Sequence, residues 1–168
     1  MTALDLHPRD ALFSGEKPFP SIPVCEHIAG NEKLILKSFA LQDEIGPFFD
    51  LTCDCEDGAR PGQEAAHASM IARLLGSPAN RHHMAGVRIH DGTDACWRSD
   101  IDILLANAGA IIAYITLPKV EGVTQTRMMI DYIQETAKRL GLDREIPIHA
   151  LIETHGGLHE ARQIAALP

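Results

Sequence analysis

The sequence predicts a parallel α/β domain. Short apolar runs rich in β-branched residues alternate with longer segments whose apolar residues follow helical spacing. Glycine or proline follows most of the helical segments, as is usual where helices end. Because strands covered by helices on both faces read as continuous apolar runs, we expect a parallel sheet enclosed by helices.

Strand and helix segments alternate along the chain after an irregular, proline-broken arm over residues 1–23. The expected strands cover residues 24–29, 48–53, 85–89, 110–117 and 146–152. The expected helices cover residues 32–45, 63–75, 100–107, 123–140 and 158–167, with Asn31 and Ser99 as N-caps. Residues 24–168 therefore form one domain in this interpretation.

Periodicity leaves two architectures open: a complete, open, doubly wound sheet, or part of a closed barrel. The length of 168 residues favours the open sheet, since a closed eightfold barrel usually needs about 250 residues. In both architectures ligands bind at the carboxyl ends of the strands. In either architecture we therefore expect the site at the carboxyl ends of the strands.

Composition excludes several classes of protein. The formal net charge is −8, which argues against a general nucleic-acid surface because phosphate binding relies on clustered basic residues. No apolar run approaches the roughly 18 residues of a membrane span, and the first residues lack the pattern of a secretory signal. The four cysteines complete no zinc pattern. We expect reduced thiols in a cytoplasmic protein with no membrane partner.

Polar side chains collect where the expected strands end. Parallel strands bring these ends to one rim, which makes the clustering the main functional signal of the sequence. The residues concerned are Asp54, Glu56, Asp57, Arg88, His90, Asp91, Lys119, Glu121, Glu153 and His155.

Arg88 has two interpretations. Its planar guanidinium suits a substrate carboxylate held by two parallel hydrogen bonds. The alternative is a structural ion pair with the acids of the preceding strand end. Of those acids, Glu56 and Asp57 could instead cap the turn or helix that follows them.

Lys119 and Glu153 end the next two strands. Lys119 could form a solvent-exposed pair with Glu121 rather than contact a ligand. Glu153 follows an apolar run, where an unpaired charge would be costly, so we expect it to have a metal ion or an arginine as partner.

Two other candidate sites are rejected. His155 and His159 have the spacing of helical metal ligands, but Gly156 and Gly157 interrupt that stretch, which argues against a zinc site. Cys55 lies among carboxylates that would raise the pKa of its thiol, which argues against a nucleophile.

Four segments at these strand ends, in order along the chain, resemble one known family. It comprises the HpcH/HpaI aldolases with the citrate lyase β-subunits and malyl-CoA lyases. The similar segments are Asp54-Cys55-Glu56-Asp57, Val87-Arg88-Ile89, Leu117-Pro118-Lys119-Val120-Glu121 and Ala150-Leu151-Ile152-Glu153-Thr154. The resemblance extends from about residue 24 to residue 166.

The resemblance implies a (β/α)8 barrel of the TIM type, of which this chain would cover about the first five βα units. It implies a carbon–carbon lyase that cleaves or forms a bond next to a carbonyl of a hydroxy acid or its CoA thioester, through a metal-stabilised enolate. Arg88 and Glu153 would be catalytic and, with Lys119, substrate-binding. Glu153 would ligate Mg²⁺ or Mn²⁺, while Glu56 and Asp57 would orient Arg88 or metal-bound water. Family members commonly form homo-oligomers.

Three departures from the family pattern affect this interpretation. The family's asparagine after the arginine segment is His90, and its basic residue after the Glu-Thr pair is Gly156. The family's second metal-binding aspartate would fall beyond Pro168, so we expect the 168 residues alone to be weakly active and prone to associate. Two alternatives stay open: a thioester hydrolase of the malyl-CoA type, and a non-catalytic, flavodoxin-like binding module.

Overall fold

The structure, a computed structural model, describes residues 25–168, so the expected arm over residues 1–23 lies outside the described part. The strands are β1 (Cys25–Ala29), β2 (Phe49–Asp54), β3 (Ala85–Arg88), β4 (Ile115–Leu117) and β5 (Ile148–Ala150). The helices are α1 (Glu32–Ile45), α2 (Glu64–Leu75), α3 (Trp97–Ala108), α4 (Val123–Arg139), α5 (His155–His159) and α6 (Ala161–Ile164). No helix within residues 25–168 has the length and apolar character needed to cross a membrane.

All five strands are parallel and lie in the order β1-β2-β3-β4-β5. Doubly wound sheets reverse their strand order at a switch point, whereas a barrel adds each new strand beside the last one. Because crossovers between parallel strands are right-handed, unidirectional addition places the helices on one face. The observed order is therefore of the barrel type. It contradicts the open, doubly wound sheet that the chain length favoured, and with it the flavodoxin-like module.

Three helices were predicted closely and the others were not. The observed bounds of α1, α2 and α4 differ from the expected ones by one residue at most, and Asn31 caps α1 as expected, accepting a hydrogen bond from Leu34 N at 3.0 Å. The expected final helix is instead two short helices, α5 and α6.

Helix α3 begins before its expected start. Its first residue is Trp97, so Ser99 lies inside the helix and is not its cap. The Trp97 side chain is only 2% exposed and packs edge-to-face on Tyr132 with ring centroids 5.2 Å apart. Burial of this large side chain outweighs the polar character of the residues that follow it.

Strand β4 is much shorter than the apolar run that predicted it. The backbone N–H groups of Ile111 and Ile112 both donate to Ala108 O, at 3.0 and 2.9 Å. These residues thus satisfy the carbonyl group of Ala108, the last residue of α3, instead of joining the sheet. An apolar run alone does not show whether its residues end a helix or form a strand.

The two faces of the sheet differ in polarity. The helix-facing side carries buried apolar residues, among them Leu51, Cys53, Val87, Ile115 and Leu117. The alternate positions are mostly polar: Glu26, Asp50, Thr52, Asp54, Arg88, Tyr114, Thr116 and His149. The expectation of strands that are apolar on both faces is therefore wrong. In a barrel this second face would line the interior, where it leads up to the rim.

Tyr114 anchors this polar face. Its ring stacks on His149 at a centroid distance of 3.9 Å, and its hydroxyl lies 2.7 Å from Thr52 Oγ1. Burial raises the pKa of Tyr114 well above its usual range, so the hydroxyl stays protonated. Gly86 makes room for the ring, because a Cβ at that position would overlap it.

Replacing Gly86 with alanine should lower the free energy of unfolding by about 1–3 kcal/mol, since the added methyl group overpacks the site. The measurement is urea denaturation of the two proteins. Gly76→Ala is the matched control, because its Cβ would find only an ordinary contact 3.5 Å from Ala72 O. Equal effects of the two substitutions would contradict the steric explanation.

Candidate active site

A two-point contact between Arg88 and Asp54 lies at the carboxyl edge of the sheet. Register pairs Asp54, the last residue of β2, with Arg88, the last residue of β3. Arg88 Nε donates to Asp54 Oδ1 at 2.9 Å, and Nη2 donates to Oδ2 at 2.8 Å. The side chains are only 14% and 7% exposed, so each charge depends on the other.

Two further carboxylates contact the same guanidinium. Arg88 Nη1 lies 2.9 Å from Glu56 Oε2, and Nη2 lies 2.9 Å from Asp57 Oδ2. The exposed fractions of the acids differ widely, 6% for Glu56 and 73% for Asp57, so the Asp57 contact is the weak one. Hydrogen bonding to Asp54, helped by the charges of the other acids, raises the pKa of Arg88 well above its usual range. The guanidinium is therefore permanently charged and held in one orientation.

Asp54 makes more contacts in the site than its position in the sequence indicated. Its Oδ1 also accepts from Glu56 N at 3.1 Å, and its backbone oxygen lies 2.9 Å from His67 Nε2. It thus fixes both Arg88 and the turn that carries Glu56. The available signal was its position as the first acid after an apolar strand, but its pairing with Arg88 follows from a register that the sequence does not state.

Lys119 connects the arginine to the next strand ends. Its Nζ lies 2.6 Å from Glu56 Oε1, and this pairing raises the pKa of the ammonium group. Glu56 therefore lies between two cations, and the suggested exposed pair of Lys119 with Glu121 is not what the structure shows. Both Glu56 contacts are ion pairs, one from each carboxylate oxygen.

The backbone of Lys119 is unusual and contacts Glu153. Its φ of +48° lies in the left-handed region, which costs a residue with a side chain about 1–2 kcal/mol. In this conformation Lys119 N donates to Glu153 Oε1 at 2.8 Å. Strained backbone of this kind persists where the surroundings impose it, often at functional sites.

Glu153 is exposed, contrary to the burial expected from its apolar neighbours. Strand β5 ends at Ala150, and Ile152 itself is 40% exposed, so the apolar run leaves the core before it reaches the acid. Glu153 lines an open cavity of about 520 Å³ together with Glu121, Ile152, Thr154, His155 and Leu158. Within residues 25–168, no arginine pairs with it and no three metal-binding side chains form a cluster.

The rim carries an excess of negative charge. Asp54, Glu56, Asp57 and Glu153 contribute four carboxylates, while Arg88 and Lys119 contribute the two cations that contact them. A site with this balance would repel an anionic substrate unless another positive charge were added.

The loops after β4 and β5 are joined beside Glu153. Thr154 Oγ1 donates to Val120 O at 2.7 Å and accepts from Gly157 N at 2.8 Å, which caps α5. A Cβ at Gly156 would overlap Glu121 O. The departure from the family pattern at Gly156 thus has a steric reason, since a longer residue would separate the two loops.

The rejected candidates remain without a functional arrangement, with one correction. We expected Gly156 and Gly157 to interrupt the helix between His155 and His159, but helix α5 spans both histidines. Both histidine side chains are exposed, and no metal-binding cluster is found within residues 25–168. Burial, with nearby carboxylates, raises the pKa of the Cys55 thiol well above its usual value. A protonated, buried thiol is no nucleophile.

His90, the residue that replaces the family's asparagine, is paired with Asp100. Asp100 Oδ2 accepts from both His90 N at 3.0 Å and His90 Nδ1 at 2.6 Å. Burial opposes the charged imidazole, but the Asp100 hydrogen bond and the charges of Asp100, Asp94 and Glu64 raise the pKa of His90 above 6.5. Burial likewise raises the pKa of Asp100. The pair fixes the backbone just after Arg88.

Comparison with known proteins identifies the family. The profile of the HpcH/HpaI aldolase/citrate lyase family matches residues 46–168. The chain belongs to this family. Among solved structures, a citrate lyase from Burkholderia xenovorans LB400 is 49% identical over 88% of this chain and 46% of that one, with a TM-score of 0.85. No curated protein matches the chain in sequence.

More distant members of the family share the fold. The citrate lyase beta subunit from Mycobacterium tuberculosis, complexed with oxaloacetate and magnesium, is 22% identical over 87% of this chain and 54% of that one, with a TM-score of 0.59. The protein CitE from the same organism, with magnesium and acetate, is 22% identical over 84% of this chain and 48% of that one, with a TM-score of 0.55. The chain therefore spans about half the length of these relatives, and its five strands form part of their TIM-barrel type of fold.

Asp54→Asn should lower the free energy of unfolding by about 2–3 kcal/mol, because it leaves the shielded charge of Arg88 without its principal partner. Asp57→Asn is the matched control and should cost less than about 1 kcal/mol, since that acid is exposed. Chemical denaturation measures both. A comparable loss in the two variants would show that Asp54 is not the main partner.

The stabilising effect of His90 should decrease as pH rises. A folded-state pKa above 6.5 means that the pairing contributes fully below that pH and is lost as pH rises through the folded-state pKa. The difference in unfolding free energy between the native protein and His90→Gln should thus be larger at about pH 6 than at about pH 9. A difference of the same size at the two pH values would contradict this role of the pairing.

Proposed function

We propose that the full protein is a metal-dependent carbon–carbon lyase. It would cleave or form a bond next to a carbonyl of a small hydroxy acid, or of its CoA thioester, through an enolate. One observation carries the proposal: ion pairs and one backbone hydrogen bond link Arg88, a fixed anion-binding group, to Glu153, an exposed carboxylate, through Glu56 and Lys119 on a single rim.

Arg88 is the group we assign to the substrate's carboxylate. A guanidinium has five N–H donors, and the carboxylates of Asp54, Glu56 and Asp57 take up most of them. Asp57 is the exposed and weakly held partner, so a substrate carboxylate would displace it at little cost. Asp54 and Glu56 would then keep the guanidinium oriented, which supports the positioning role predicted for Glu56.

The residues present fit Mg²⁺ or Mn²⁺ at Glu153. Mg²⁺ in enzymes is usually held by one or two carboxylates, with water and substrate oxygens completing the site. Glu153 offers an exposed carboxylate with one oxygen already oriented by Lys119 N. The excess negative charge of the rim favours a divalent cation there. When bound, the metal would act as a Lewis acid that stabilises the negative charge of the enolate.

The ligands of solved relatives agree with this substrate class. The mycobacterial proteins bind oxaloacetate or acetate with magnesium, and both ligands are small carboxylates. Lys119 would add a second cation toward the substrate, because its side chain is 54% exposed while it pairs with Glu56. Use of a CoA thioester, a homo-oligomeric state and a cytoplasmic location stay predictions.

Glu153→Gln should weaken Mg²⁺ binding by more than about tenfold, since the neutral amide is a much poorer ligand. Isothermal titration of the full-length protein measures this, and lyase activity should decrease in parallel. Glu121→Gln is the control from the same cavity and should leave Mg²⁺ affinity nearly unchanged. Unchanged affinity in Glu153→Gln would rule out the ligand role.

Product analysis with a β-hydroxyacyl-CoA separates the proposed lyase from a thioester hydrolase. Carbon–carbon cleavage yields two carbonyl-containing fragments, one of which keeps the thioester. Hydrolysis instead releases free CoA and leaves the carbon skeleton intact, and that outcome would contradict the lyase.

A further inference from the structure

Lys119 makes two contacts through two different parts of the residue. Its backbone N–H holds Glu153 Oε1 at 2.8 Å, and its amine holds Glu56 Oε1 at 2.6 Å. The first contact reaches the expected metal ligand, and the second reaches an acid that orients Arg88. Lys119 therefore contacts both Glu56 and Glu153, although the sequence analysis gave its amine only a substrate contact or an exposed pair with Glu121.

The left-handed backbone of Lys119 is imposed by both of its flanks. Before it, Leu117 is fully buried and its carbonyl accepts from Leu151 N at 2.9 Å. After it, Val120 is fully buried and its carbonyl accepts from Thr154 Oγ1 at 2.7 Å. Both bonds attach the turn to the segment that carries Glu153. The geometry of the turn and the position of Glu153 are thus fixed together.

Gly156, which departs from the family pattern, and the neighbouring Gly157 belong to the same arrangement. A Cβ at Gly156 would overlap Glu121 O, and a Cβ at Gly157 would overlap Val120 O. Only residues without side chains let the start of α5 approach the Lys119 turn this closely. Because the two segments lie this close, Thr154 Oγ1 can donate to Val120 O, and Lys119 N can donate to the Glu153 carboxylate.

We propose that Lys119 is a positioning residue whose left-handed backbone, rather than its amine, holds the Glu153 carboxylate in its metal-binding orientation. The amine has the separate task of holding Glu56 against Arg88. This inference rests on the proposed function, in which Glu153 ligates the metal. Residues that orient a metal ligand typically change metal affinity by about 10- to 100-fold when they are lost.

Three substitutions at position 119 remove the amine and differ only in how well they tolerate a positive φ. Glycine adopts the left-handed region freely, alanine does so with the same strain as the native lysine, and β-branched valine is strongly disfavoured there. In the full-length protein, Mg²⁺ affinity measured by isothermal titration should stay within about twofold of native for Lys119→Gly and Lys119→Ala. It should decrease by about tenfold or more for Lys119→Val.

The Michaelis constant for the carboxylate substrate provides a second measurement, which would not change if the Lys119 amine had only a structural role. All three variants lack the amine, so all should raise the KM for the carboxylate substrate, including Lys119→Gly with its intact metal affinity. Equal losses of Mg²⁺ affinity in Lys119→Gly and Lys119→Val would assign the effect to the amine and overturn the proposal. Native affinity in a folded Lys119→Val would overturn it as well. Should that variant not fold, Lys119→Ala still decides, because it lacks the amine without added backbone strain and a several-fold loss of Mg²⁺ affinity in it would overturn the proposal.

Hydrogen exchange of the residue-119 amide separates this inference from the proposed function. The amide should be protected in the native protein and in Lys119→Gly, and it should exchange faster in Glu153→Ala. If Glu153→Gln leaves Mg²⁺ affinity unchanged while the amide exchanges as described, the metal assignment fails and the backbone contact stands. If the amide is unprotected in the native protein, the positioning role fails whatever Glu153 binds.

Discussion

The two-point contact between Asp54 and Arg88 joins the ends of two adjacent strands, and the rest of the rim is arranged around it. Parallel register brings the two residues side by side, and burial then makes each charge dependent on the other. Because Asp54 also holds the backbone of the turn after β2, Glu56 is delivered to the same guanidinium. Without this pair, Arg88 would be a mobile cation, and a mobile cation binds a carboxylate with a larger loss of side-chain entropy.

The acids that orient Arg88 also give the rim an excess of negative charge, which a further cation would reduce. Orienting an arginine with three acids fixes its geometry but more than cancels its charge. Lys119 offsets one acid, and Glu153 then adds another beside it. A divalent cation at Glu153 would reduce the excess and make the rim less repulsive to a carboxylate substrate. The positioning of Arg88 and the proposed metal at Glu153 are in this sense related through one distribution of charge.

Much of the fold and the location of the site could be predicted from the sequence, but the contacts within the site could not. Periodicity predicted α1, α2 and α4 closely, and the polar residues that end the strands predicted the rim. The role of Asp54 depends on register, and the left-handed backbone of Lys119 depends on two buried neighbours and a bond from Thr154. Neither is encoded in local spacing. The length of β4 was also mispredicted, because the first residues of its apolar run end helix α3 and do not join the sheet.

The opposite charges of the two proposed ligands have a thermodynamic consequence. A substrate carboxylate at Arg88 would bring a negative charge to the rim, and a divalent cation at Glu153 would bring a positive one. Each would therefore favour the binding of the other by the same factor. This coupling needs no movement of Lys119, whose amine and backbone N–H hold Glu56 and Glu153 separately.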